Sequence, residues 1–367
     1  MAKISKRKKV FIIILAVLLC IALVLGGLAL YGRYNMRKIP HLSFMDTLEY
    51  TTKGNSEAKI TVGIIKDGKP SYKVYGENAQ ELPAKLHTYE IGSVTKTLTA
   101  AIVNSAITEG KISIDSTIDT YLSLPKNKQY PTIKELLTHT SGYKGYYFES
   151  PMIMNFLKGR NDYYGITKDM ALKRVSSLNM DKPSYGFKYS NFGYAVLGLL
   201  LENVYNTDYK SLFNSFVQQD LGLTYTGLLR TEGDLGKYWE WQEGDAYIPA
   251  GSGIVSNIED MLKYADMLLN RNPHISACLN SLAKVETNNA KYKLLDINID
   301  EMGMGWAIDS SNGIMWHSGG TGNYNSYIGI SLGTGNAVVI LSNLAPSYRI
   351  PATVMGVKLL KELNSSI

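Results

Sequence analysis

The chain has 367 residues, 45% of them hydrophobic and 19% charged, and a formal net charge of +6. That is enough to bury one large core or two small ones, and no low-complexity stretch or fixed-period repeat points to a disordered or solenoid protein. The charge does not mark a nucleic-acid binder: residues 1–38 hold eight basic residues and no acid, so removing them from +6 leaves −2 for the rest, with no basic stripe.

Val10 to Leu30 runs 21 residues without a charge. As a helix it would cover about 31 Å, the thickness of a bilayer's hydrocarbon core. Lys3, Lys6, Arg7, Lys8 and Lys9 precede it, which predicts a cytoplasmic N-terminus, a single-pass anchor in the cell membrane and a main domain outside the cytoplasm. The expected organisation is a tail over 1–9, a transmembrane helix over 10–31, a stalk over 32–55 and one domain over 56–367. A cleaved signal peptide is the rival reading, but its apolar region would span only about 7–15 residues. Gly27-Leu28-Ala29 is a poor cleavage site, and Cys20 follows Leu18-Leu19 rather than the small residue of a lipoprotein signal. The other cysteine, Cys278, sits in an apolar run and reads as a core residue.

Along the domain, residues 59–66, the Asp67-Gly68 turn and residues 71–75 predict a hairpin. From Ser93 to about Glu109 the period turns helical, with Leu98, Ala101, Ile102, Ser105 and Ala106 on one face and Gly110 as the stop. Residues 111–245 alternate helices with Tyr-rich loops. Thr132 and Glu135 form a capping box, and 191–205 is an apolar helix. Ile258–Leu269 predicts a helix capped by Ser256 or Asn257. Residues 305–308, 313–316, 324–330 and 337–341 then predict successive strands, and 351–364 a closing helix. Strands at both ends with helices between give an α+β fold. One antiparallel sheet from both ends of the chain is flanked by helices, with an inserted helical lobe and a cleft between the two.

Chemistry concentrates at Ser93. Ser-x-x-Lys on a helix puts both side chains on one face, a turn apart. A serine hydroxyl needs a base, and a lysine serves if burial lowers a pKa that is normally about 10.4. The spacing alone selects nothing, since Ser5/Lys8, Ser56/Lys59, Ser123/Lys126, Ser141/Lys144 and Ser281/Lys284 share it. Ser93-Val94-Thr95-Lys96 differs in having Gly92 just before the serine, at a strand-to-helix turn. Tyr189-Ser190-Asn191 is the one Tyr-x-Asn in a chain with 26 tyrosines, and His317-Ser318-Gly319 the one His/Lys-Ser/Thr-Gly, followed by Gly320 and Thr321.

These three motifs, in this order, resemble those of the serine β-lactamases and penicillin-binding proteins. The pattern is most similar to class C β-lactamases and to their DD-peptidase, D-aminopeptidase and esterase relatives. Residues 132–142 resemble that family's TIxxLLTHTSG segment, 187–194 its FxYSNxGY, 249–256 its PAGGLVS and 302–306 its GxGW strand. The resemblance implies that Ser93 forms an acyl-enzyme and that Lys96 and Tyr189 share the base and acid duties, in either order. Asn191 would bind a substrate amide and steady Lys96; His317, Ser318, Gly319 and Gly320 would line the substrate. The backbone N–H groups of Ser93 and Gly320 would form an oxyanion hole. His317 stands where many members carry Lys, which favours an ester or a neutral amide over a free carboxylate.

His139 reads as a structural hydrogen-bonder, since Lys96 and Tyr189 leave no vacancy for a triad histidine. Tyr143, Tyr146, Tyr147, Tyr163 and Tyr164 could form a rim for a glycopolymer, though Tyr outnumbers Phe by 26 to 8 and the bland reading is compositional. His41, His87 and His274 lack metal-ligand spacing, so neither metal nor cofactor is expected. The expected function is a membrane-anchored acyl-hydrolase acting on D-alanyl groups of the cell envelope, as peptides or as esters on teichoic-type polymers. The alternatives are a β-lactamase and a penicillin or muropeptide sensor that acylates without turnover.

Overall fold

A computed structural model describes residues 12, 15–27, 37–182, 184–228, 232–251, 253–287 and 289–365. The centre is a nine-stranded antiparallel sheet. In chain order its strands are β1 (Ile60–Lys66), β2 (Lys69–Tyr75), β3 (Glu81–Leu82), β4 (Ala283–Lys284), β5 (Glu301–Met302), β6 (Ala307–Asp309), β7 (Ile314–Gly320), β8 (Asn325–Ser331) and β9 (Asn336–Ser342). Their spatial order is β3-β2-β1-β9-β8-β7-β6-β5-β4. The two ends of the chain meet in the middle, where Ile60 pairs with Ser342 and Ile65 with Ala337.

Both faces of β8 and β9 are buried, which is why 337–341 is an unbroken apolar run rather than an alternating one. Ala337, Val339 and Leu341 join the core beneath α4 (Ile258–Leu269); Val338 and Ile340 join the one beneath α5 (Ala352–Asn364). Asn257, not Ser256, caps α4, its side chain accepting from Asp260 N–H. Between the strand groups lies the helical lobe. Its main elements are α2 (Thr95–Thr108), Ile133–Leu137 with the capping box of Thr132 and Glu135, and α3 (Asn191–Tyr205). Cys278 is buried in that core, with its thiol pushed up to about 12 by desolvation.

The stalk expected over 32–55 needs correction. From Ser43 onward the chain is part of the fold: Ser43 and Asp46 form a capping box opening α1 (Phe44–Thr52), and Phe44 and Leu48 are buried in the core beneath α5. The Phe44 N–H also donates to Glu362 on α5, at 2.8 Å. Residues 32–36 lie outside the described residues, as does the tail over 1–9. So do both ends of the expected anchor, of which 15–27 is helical with exposed apolar side chains. Among the described residues, no helix is long and apolar enough to cross a membrane.

Because α1 closes the core beneath α5, Leu48→Ala is expected to cost about 2–5 kcal/mol of stability. A chain begun at residue 56 should lose at least as much relative to one begun at Ile39. Urea denaturation checks both; equal midpoints for the two truncated chains would show that α1 adds nothing.

Candidate active site

The site forms where a tight turn feeds α2. Gly92–Val94 is one turn of 3-10 helix, and the left-handed φ of +50° at Gly92 aims the chain into α2. No side chain would fit there, since a Cβ on Gly92 would lie 2.5 Å from the Gly320 nitrogen. A Cβ on Gly319 would strike the carbonyl oxygen of Ile91. The end of β7 therefore lies against the Ser93 turn. Ser326 Oγ pins it by donating to Ile91 O at 2.7 Å. Beneath it, the buried Glu90 accepts from Thr321 Oγ1 at 2.8 Å and Trp239 N–H at 3.0 Å; desolvation holds its carboxyl up at about 7.

β6 pairs with β7 only from Ile314 to Trp316, so residues 317–320 present an unpaired strand edge beside Ser93. Such an edge offers backbone groups to an extended ligand. The 3-10 turn runs straight into α2, so the Thr95 N–H is bonded to Gly92 O and Ser93 O, and what the helix start adds is the positive end of its dipole.

Lys96 occupies the first turn of α2 and is fully buried. Its Nζ lies 3.2 Å from Ser93 Oγ and 2.8 Å from Asn191 Oδ1, and donates to the Ala250 carbonyl. Each partner is held in turn. Asn191 donates through Nδ2 to Tyr163 Oη at 3.0 Å, and Tyr163 stacks on Tyr247 at 4.3 Å. The turn carrying Ala250 is fixed by Thr99 Oγ1, which donates to Pro249 O at 2.8 Å. Desolvation drives the Lys96 pKa well below its ordinary value, toward a neutral amine. A neutral amine has two N–H bonds, and Asn191 and Ala250 take them. Its lone pair is left for the Ser93 hydroxyl.

Tyr189 overhangs this group, its ring centroid 4.8 Å from Lys96 Nζ, and keeps 39% of its surface exposed. Desolvation raises its phenol pKa, Tyr163 and Tyr292 add to this, and a hydrogen bond with Ser93 opposes it. The phenol is thus a proton donor at neutral pH. His139 lies behind it, ring centroids 4.5 Å apart. Its Nδ1 accepts from Ser190 N–H at 3.1 Å, which assigns the ring proton to Nε2, and desolvation drives its pKa well below the ordinary value, keeping the ring neutral. It orients the Tyr189–Asn191 segment, the structural role read from sequence.

His317 is 6% exposed, and its Nδ1 lies 2.7 Å from Ser318 O, so Nδ1 carries the proton. Desolvation first, then Lys96, lower its pKa to about 3, against a weaker lift from the Ser318 carbonyl. The structure therefore brings together every residue expected at the site: Ser93, Lys96, Tyr189, Asn191, His317, Ser318, Gly319 and Gly320. Sequence reasoning missed Tyr163, the Ala250 carbonyl and Glu90. The first was read only as part of an aromatic rim, and a backbone acceptor leaves no sequence signal. The rim itself does not form as one surface: Tyr143 is buried, and it and Tyr147 pack on Phe192, while Tyr146 is exposed.

Residues 52–353 match the family model described as Beta-lactamase. Protein flp of Staphylococcus aureus strain N315 is 24% identical over 326 residues, covering 83% of this chain and 62% of that protein. The first curated relatives are longer than this chain, which spans 37% to 62% of their length. Among solved structures, the octameric penicillin-binding protein homologue from Pyrococcus abyssi superposes with a TM-score of 0.67 at 22% identity, over 88% of this chain and 75% of that one. The beta-lactamase/D-alanine carboxypeptidase from Yersinia pestis gives 0.63 at 19%, over 84% and 94%. At these identities the likeness is one of fold.

His317 is expected to stay neutral across pH 5–8. Between about pH 6.5 and 3 the unfolded chain binds a proton at residue 317 that the folded chain refuses, so stability rises with pH through that window and acid erodes it. Imidazole nitrogen shifts from NMR check this. A His317 midpoint above pH 6 would overturn the neutral assignment.

Proposed function

Because this chain belongs to the beta-lactamase family, we propose that it is a serine acyl-hydrolase with Ser93 as nucleophile and a D-alanyl ester as the acyl donor. The observation that carries this reading is the bonding of Lys96, whose amine is buried with two acceptors and leaves its third direction to the Ser93 hydroxyl. Ser93 Oγ attacks the ester carbonyl as its proton passes to Lys96 Nζ. The backbone N–H groups of Ser93 and Gly320 take the oxyanion, where one donor is worth roughly 3–4 kcal/mol. Tyr189 gives its phenolic proton to the departing oxygen and recovers one from Lys96. A water then attacks the acyl-enzyme by the same groups in reverse order, releasing the acid and free Ser93.

The ester is favoured over a D-alanyl-D-alanine peptide because His317 is neutral and cannot pair a terminal carboxylate. The same argument counts against the β-lactamase and penicillin-sensor readings, whose ligands carry a carboxylate. The Yersinia pestis neighbour, named for both β-lactamase and D-alanine carboxypeptidase, lends the D-alanyl class its support. We place the domain outside the cytoplasm, tethered through residues 10–31. The charge-free run supports this, as does the helix over 15–27, whose leucines, valines and isoleucine have no protein surface to cover them.

Incubation with a D-alanyl ester, quenched in acid, should leave a D-alanyl adduct on Ser93 by mass spectrometry. Ser93→Ala and Lys96→Met should each lower kcat by at least about a thousandfold, and Tyr189→Phe should cost more in kcat than in KM. Undiminished turnover by Ser93→Ala would end this reading. In intact cells, externally added protease should digest the domain while residues 1–9 stay protected; the reverse pattern would overturn the placement.

A further inference from the structure

A cleft of about 500 Å³ opens from Ser93 between Tyr189 and His317 and runs along β7. Its position identifies which half of a substrate enters it. Tyr189 and Ser318 line it, whereas Asn191 and Tyr163, on the far side of Lys96, do not. If Tyr189 protonates the departing atom, the group beside Tyr189 is the leaving group and the acyl half lies toward Asn191. This step rests on the Ser93–Tyr189 reading given above.

The walls combine aromatic and aliphatic side chains with neutral polar ones such as Thr287, Asn289 and Asn325. Among the described residues, none that lines it is a Lys, Arg, Asp or Glu. His139 is neutral because its Nδ1 accepts from Ser190 N–H, and His317, its Nδ1 proton given to Ser318 O, is held neutral by its burial. Phe187 and Tyr292 stand on one side, partly buried, with Trp316, Met302 and Ile299 behind them. Tyr292 meets Trp316 edge to face at 6.1 Å, and the Trp316 indole N–H is turned to Asn298 O at 3.4 Å, leaving an apolar ring surface toward the cleft. An anion here would lose its hydration with no cation to replace it. An apolar ring or branched chain would lose nothing and cover the aromatic wall.

We propose that the leaving group of the natural substrate is uncharged and apolar, an aromatic or branched alcohol, and that this aromatic, charge-free cleft selects it over carboxylate- or phosphate-bearing leaving groups. Free D-alanine and anionic polymer strands are thereby disfavoured as leaving groups. Cleavage balances as ester plus water giving acid plus alcohol, with no further reactant.

The test compares methyl, benzyl and 4-carboxybenzyl esters, each in a D-alanyl and an acetyl series, by kcat/KM of wild type with Ser93→Ala as blank. The benzyl ester should exceed the methyl ester at least tenfold, and the carboxylate on the same ring should remove at least tenfold. Tyr292→Ala should shrink the benzyl-to-methyl ratio at least fivefold, and Tyr292→Phe should restore it. Equal rates for benzyl and 4-carboxybenzyl, or a methyl ester as good as benzyl, overturns the proposal while leaving the Ser93 chemistry intact. Turnover in the acetyl series alone removes the D-alanyl reading but still decides the leaving group. No Ser93-dependent turnover in either series overturns the hydrolase reading and this proposal with it.

Discussion

The site depends on keeping one amine out of water. Lys96 sits at the first turn of α2 with its whole side chain buried, and an ammonium there would surrender its hydration against a steep cost. The fold answers with partners from separate parts of the chain: the Ser93 hydroxyl in the turn before α2, and two acceptors, Asn191 at the start of α3 and Ala250 in the turn ahead of residue 254. Burial and hydrogen-bond count push in the same direction. Desolvation disfavours the charged form, and two fixed acceptors suffice for the neutral one. The base is thus prepared before any substrate arrives, and its lone pair is aimed because the other two directions are taken.

That arrangement also explains why the lobe and the sheet are locked together at this point. Asn191 can serve Lys96 only if its amide is oriented, and Tyr163, stacked on Tyr247, does this. Ala250 can serve only if its turn is held, and Thr99, one turn further along α2 than Lys96, binds the carbonyl of Pro249. On the opposite side Ser326 of β8 and Thr321, just after β7, bind Ile91 O and Glu90, clamping the sheet to the residues before Ser93. A displacement of either side would leave Lys96 with a missing acceptor, so the geometry of the nucleophile and the packing of the domain are one problem.

Local signals carried much of this in the sequence. The unbroken apolar run of 337–341 announces a strand covered on both faces. Thr132 with Glu135 announces a helix start, and Gly92 separates Ser93 from five other Ser-x-x-Lys pairs of equal spacing. What stayed hidden is long-range. Residues 44–52 read as stalk because the apolar surface that Phe44 and Leu48 need lies some 300 residues away, on α5 and its neighbours. Tyr163 looks like any other tyrosine in a Tyr-rich loop until its ring is seen on Tyr247. The Ala250 acceptor is backbone, which any residue type would supply. The state of His317 was equally illegible, because its ordinary pKa near 6.5 allows either charge and only the burial around it decides.

His317 and Lys96 are best understood as a pair. Each lies in a desolvated site, and any charge on Lys96 would be the second influence lowering His317, after burial. Two cations this close would need a bound anion to offset them. A Lys at position 317 would therefore suit a substrate that brings a carboxylate. A neutral His, its Nδ1 proton given to Ser318 O, needs no such partner. As Ser93 attacks and its proton passes to Lys96, negative charge develops on the carbonyl oxygen. That is where the N–H groups of Ser93 and Gly320 and the start of α2 are already directed, so the site's electrostatic stabilisation falls on the transition state rather than on an anionic ground state.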